Sequence, residues 1–71
     1  MIGRMVRPRD DMGEIGAMPD LGAWARPRIS FPLAHVGLVM EVENFWGEDW
    51  YRVLLPSGMG WVKEYWVEEV R

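Results

Sequence analysis

The sequence predicts an all-β fold, a small five-stranded barrel carrying one long early loop. Three observations predict it. Residues 36–43, Val-Gly-Leu-Val-Met-Glu-Val-Glu, alternate with a period of two, which sends successive side chains to opposite faces of a strand. Residues 50–55 and 59–63 are further β-forming runs joined through Pro56-Ser57-Gly58. Between Arg9 and His35, glycines and prolines recur too often for a long helix or strand.

Taken in order, residues 2–7 predict a first strand with Val6 and either Ile2 or Met5 inward and the arginines outward. Pro8 ends it, because proline has no N–H to give a sheet ladder. Residues 9–35 form the long loop, with one helical turn over 20–25, capped by Asp20, as its only regular element. A structureless segment beyond about 12–15 residues is uncommon in a compact domain and is usually functional or disordered. Its apolar residues (Met12, Ile15, Met18, Leu21, Trp24, Ile29, Phe31, Leu33) argue against disorder, so either the barrel or a partner covers them.

In the 36–43 strand, Val36, Leu38, Met40 and Val42 share one face and Gly37, Val39, Glu41 and Glu43 the other; Gly37 signals a bulge or a close backbone approach. Asn44 to Asp49 form a turn containing Phe45, Trp46 and Gly47. Leu55-Pro56-Ser57-Gly58 fits a type I turn, with proline pre-set at the first central position and glycine at the positive-φ site after it. Glu64-Tyr65-Trp66 is expected to make one 3₁₀ corner before a last strand over 67–70.

Seventy-one residues hold one domain (1–71) whose core is small, since a chain of this size buries only about 60% of its unfolded surface. No cysteine is present, so disulfides and thiolate metal sites are excluded, which suits a reducing compartment. The net charge of −3 is uneven: residues 1–35 carry five basic groups and four acids, residues 36–71 three and seven. An acidic body is a poor match for phosphate neutralisation, so nucleic acid is the less favoured partner. No run has secretory character or the ~20 apolar residues of a membrane span, so a cytoplasmic location is expected.

Trp50-Tyr51-Arg52-Val53, Pro56-Ser57-Gly58, Gly60-Trp61-Val62 and Tyr65 resemble the C-terminal half of bacterial Src-homology-3 (SH3) domains. Ile2 to Arg7, Val36-Gly37-Leu38-Val39 and the final Val67-Glu68-Glu69-Val70 are similar to short SH3-like proteins of tailed phages, cyanophages especially. The matches cover roughly 40 residues, and 9–35 lies outside them. The resemblance implies an SH3-like barrel whose long first (RT-type) loop is 9–35, a fold that serves many roles, and the phage likeness adds a virion-associated location to the cytoplasmic one. Lys63 stands where proline-motif-binding members carry proline, and the first-loop motif of that group is missing.

Four candidate sites follow. Trp50 occupies the place of the family's ligand-contacting tryptophan and Trp66 that of a groove tyrosine; with Trp46 and Tyr65 nearby they form an aromatic shelf for an extended peptide, or else plug a small core. Trp61 belongs to the core. The long loop, with Trp24 and Phe31, either docks on a protein partner or a second copy, or folds back to cap the barrel. Arg4, Arg7, Arg9, Arg26 and Arg28 converge as an anion or nucleic-acid patch, or are solvated and paired with neighbouring acids. A catalytic set would need His35 with Ser30 and nothing positions them, while no metal or phosphate-loop spacing occurs. The expected function is therefore a non-enzymatic interaction or virion-assembly module without cofactors. Nucleic-acid binding and peptide binding are the alternatives.

Overall fold

Strands form where β-branched and aromatic residues cluster, and among the described residues they form seven times. The computed structural model describes residues 2–22 and 24–71. In chain order the strands are β1 (Met5–Pro8), β2 (Ile15–Ala17), β3 (Ile29–Phe31), β4 (Gly37–Phe45), β5 (Glu48–Leu55), β6 (Gly58–Lys63) and β7 (Val67–Glu69), with one 3₁₀ turn at Glu64–Trp66. Five of them make one antiparallel sheet in the order β6-β5-β4-β1-β7, and β2 pairs with β3 in a second, two-stranded sheet. The fold is all-β, as the sequence predicts. It is not a closed barrel: main-chain pairing leaves β6 and β7 at opposite edges of an open sheet.

The segment 9–35 is not a structureless loop. It holds the β2–β3 hairpin, which folds back on the chain's own sheet. Ile15, Ala17, Met18 and Phe31 are buried there, and Met18 exchanges two backbone hydrogen bonds with Trp61 on β6, of 2.9 and 2.7 Å. The approach is close enough that a Cβ on Gly60 would lie 2.6 Å from that of Ala17, so only glycine lets the hairpin seat. The helical turn expected over 20–25 falls partly outside the described residues, and the described ones form bends and turns instead. Asp20 caps nothing; it pairs with Arg26 at 3.2 Å.

Other expectations shift by small amounts. The first strand begins at Met5, and Ile2 and Met5 are exposed, leaving Val6 and Pro8 as its inward residues. Pro8 closes β1 as its last residue. In β4 the buried face is Gly37 and Val39, with β5 packed so tightly on Gly37 that a Cβ there would meet Leu55 at 2.9 Å. A register shift between Val39 and Glu41 then breaks the simple alternation.

Two apolar clusters result. The larger joins Val6, Ile15, Ala17, Phe31, Val39, Tyr51, Val53, Leu55, Val62 and Val67. The smaller joins Met18, Trp50 and Trp61, with Leu21, Phe45 and Trp66 packed on its margin. The second cluster carries the site.

Candidate functional site

The register of the two hairpins builds the site. Counting outward from Pro56-Ser57 sets Trp50 opposite Lys63, and counting outward from Trp46-Gly47 sets Glu43 opposite Trp50. Glu43, Trp50 and Lys63 therefore form one row across β4, β5 and β6. Trp24, Phe45, Trp46, Glu48, Trp50 and Lys63 line an open cleft of about 290 Å³ at that tip. This is at the bottom of the range of small-molecule pockets, about 300–1,000 Å³, so it suits one or two side chains of a larger ligand.

The hairpin tip is tighter than the six-residue turn expected from the sequence. Pairing continues to Phe45 and Glu48, leaving only Trp46 and Gly47 as the loop. Both have positive φ, 54° and 79°, the sign pattern of a type I′ turn. Asn-Gly is the favoured pair for that geometry; a non-glycine residue in the left-handed region costs about 1–2 kcal/mol. Trp46 is nonetheless 91% exposed, with one aromatic neighbour, the Phe45 ring at 6.0 Å.

Beneath it, Trp50 is 2% exposed and makes edge-on contacts with Trp24 (6.1 Å) and Trp66 (5.7 Å). Its indole N–H is buried without an acceptor among the described residues, a cost of about 1–3 kcal/mol. Lys63 fastens the floor. Its Nζ lies 3.0 Å from Glu48 and within 5.5–5.7 Å of the Trp50, Tyr65 and Trp66 rings, and it donates at 3.5 Å to the Tyr65 hydroxyl. The bond to Glu48 holds the ammonium's pKa above the ordinary lysine value; partial desolvation opposes this and the Tyr65 hydroxyl adds to it.

Comparison of the chain with known proteins returns no matching family model, no matching curated protein and no matching solved structure. The site therefore stands on its own geometry.

Of the residues the sequence singles out for the shelf, Trp24, Trp46 and Trp50 come together in the cleft, and Tyr65 and Trp66 stand behind it through Lys63. Trp24 and Tyr65 are more than half exposed, while Trp50 is floor rather than contact surface. Phe31 is corrected: it is fully buried in the larger cluster, because β3 carries it under the sheet, and no partner can reach it. The arginines have separate partners: Arg4 with Glu69, Arg7 with Glu68, Arg9 with Asp11, Arg26 with Asp20, and Arg28 with the Gly16 carbonyl. Ser30 donates to Glu14, not to His35. No group of metal-ligating side chains occurs among the described residues, and none of their helices is long and apolar enough to cross a membrane.

Phe45, Glu48 and Lys63 are site residues that reading by residue type misses. The signal for Lys63 was available: a two-residue loop at Pro56-Ser57 forces Trp50 and Lys63 into register.

Proposed function

We propose that this chain is a non-enzymatic protein-interaction module of SH3-like type that binds an extended peptide segment of its partner in the cleft beside Trp46. The observation that carries the reading is Trp46 itself. It is held in a strained backbone conformation and almost wholly exposed, so neither turn geometry nor burial accounts for a tryptophan there. Strain that the fold does not need is characteristic of binding sites. The orphaned N–H of Trp50 lies at the same site. Trp24, presented from the segment before β3, closes the other side, and large amphipathic rings are favoured contact residues.

The SH3-like assignment rests on the sequence motifs and on the five-strand order that carries them. The similarity to short phage proteins makes a virion component the partner in this reading. Nucleic-acid binding has less behind it, since four of the five front arginines are committed to carboxylates.

Selection of a displayed random-peptide library on the immobilised protein tests the reading. Enriched peptides should lose binding to Trp46→Asn and keep it with Leu54→Ser, an exposed position four residues along β5 from Trp50, or about 13 Å. Failure to enrich any peptide, or binders indifferent to Trp46, would contradict it.

A further inference from the structure

Trp46 stands at the lip of a cleft sized for a ring and leaves it open. The rings of Trp24, Phe45 and Trp50 wall that cleft, and its volume suits one or two side chains. Glu48 and Lys63, the charged residues among those lining it, pair with each other at 3.0 Å, so its own lining carries no unpaired charge. What it offers an occupant is ring faces and edges, which favour another ring in an offset or edge-on arrangement. The Trp46 ring itself lies in solvent, with Phe45 at 6.0 Å as its aromatic neighbour.

One surface therefore carries a free ring and a ring-sized aromatic cleft side by side, and such a surface is complementary to itself. Two copies related by a two-fold axis at their hairpin tips each seat Trp46 in the other's cleft, the same residues meeting in both directions. The hairpin is suited to this contact. Its strands stay paired to Phe45 and Glu48, so the tip is held in place before contact and little is left to order. The exposed area is of the right order as well. Trp46, Trp24 and Tyr65 are 91%, 56% and 55% exposed, the equivalent of two whole rings, or about 300–500 Å² at about 150–250 Å² a ring. Two copies cover about 600–1,000 Å² of ring surface alone, and specific interfaces begin near about 1,000 Å² in total. That area suits a weak, reversible dimer and is too small for an obligate one.

Resting on the reading of this cleft as a binding site, we infer that its occupant in the free protein is Trp46 of a second copy. The dimer closes the cleft, and a peptide opens it by displacing that ring. The free protein is thus partly self-masked, and its apparent affinity for peptide falls as its own concentration rises.

Sedimentation equilibrium of the full chain from about 10 μM to about 1 mM, the range in which so small an interface associates, tests this. The mass should rise with concentration from 8.3 kDa toward twice that value. Trp46→Asn, which the turn accommodates, should stay monomeric throughout, and Leu54→Ser should behave as the unaltered chain. Raising salt from about 0.05 M to about 0.5 M should leave the dimer intact, because ring contacts are not screened. A peptide selected from the library should dissociate it. A chain that stays monomeric over the whole range, self-association that survives Trp46→Asn, or a dimer dissolved by salt overturns the inference. If the chain is monomeric while Trp46-dependent peptides are enriched, the peptide cleft stands and only its self-masking fails. If a Trp46-dependent dimer forms and no peptide is enriched, the self-contact stands and the peptide reading falls.

Discussion

The two hairpin turns of the main sheet, β4–β5 and β5–β6, are built to opposite standards. The β5–β6 turn uses residues whose backbone preferences match the geometry: Pro56 and Ser57 keep negative φ, and Gly58 takes the positive φ of 136° that follows. The β4–β5 turn puts Trp46 where asparagine would be at ease, and leaves it in solvent. Around the β5–β6 turn no aromatic ring of the described residues is exposed, whereas near the β4–β5 end Trp24, Trp46 and Tyr65 all stand in solvent. Where a sheet needs only to reverse direction, local preference and global fold agree. Where they disagree, and the disagreement is exposed, the residue serves something outside the fold.

Variants at the two ends sharpen that contrast. The largest effect belongs to the floor of the cleft. Trp50→Ala should cost about 3–5 kcal/mol, since a buried indole is lost from between Met18, Trp24, Trp61 and Trp66. In a domain of this size, with about 4–10 kcal/mol in total, denaturant unfolding should show a protein at or below the edge of stability. Next, Gly60→Ala should cost about 1–3 kcal/mol by forcing the β2–β3 hairpin off β6, visible as faster amide exchange at Met18 and Trp61. Gly58→Ala should cost about 1–2 kcal/mol through backbone strain alone, because nothing crowds a Cβ there more closely than 4.0 Å.

The smallest effect is an alkaline one. Burial, then the carboxylate of Glu64, raises the pKa of the Tyr51 phenol; Glu48 raises that of Lys63. A group with a raised folded-state pKa contributes stability in full below its ordinary value and loses it as pH rises through the raised one. Stability should therefore stay level toward about pH 10 and decline above it. In Glu48→Gln the decline should be shallower, with the Tyr51 part remaining.

Much of the sheet was readable because its strands are long, rich in β-formers and joined by Pro-Ser-Gly. The 3₁₀ corner at Glu64–Trp66 was readable for the same local reason. The β2–β3 hairpin was not. Its strands are three residues each, interrupted by Gly16 and Ser30, and too short for a period to show. What holds it is the pairing of Met18 with Trp61, 43 positions away in the chain, which no local pattern contains. That hidden hairpin explains why Phe31, an apolar residue in an apparent loop, turned out to be core. In the site, residue type pointed to Trp46, Trp24 and Trp50. The exposure of the first and the burial of the last depend on a type I′ turn that Trp-Gly does not advertise. Lys63 and Glu48 became site residues only through cross-strand register.

The central claim is that Trp46 is kept for binding at the expense of the fold, and Trp46→Asn tests it most directly when stability and binding are measured on the same sample. Asparagine tolerates the left-handed conformation, so thermal unfolding should shift upward by a few degrees, or about 0.5–1 kcal/mol, while calorimetric binding of a library-selected peptide is lost. A variant that is less stable and still binds would contradict the claim, and would make Trp46 a structural residue of the hairpin.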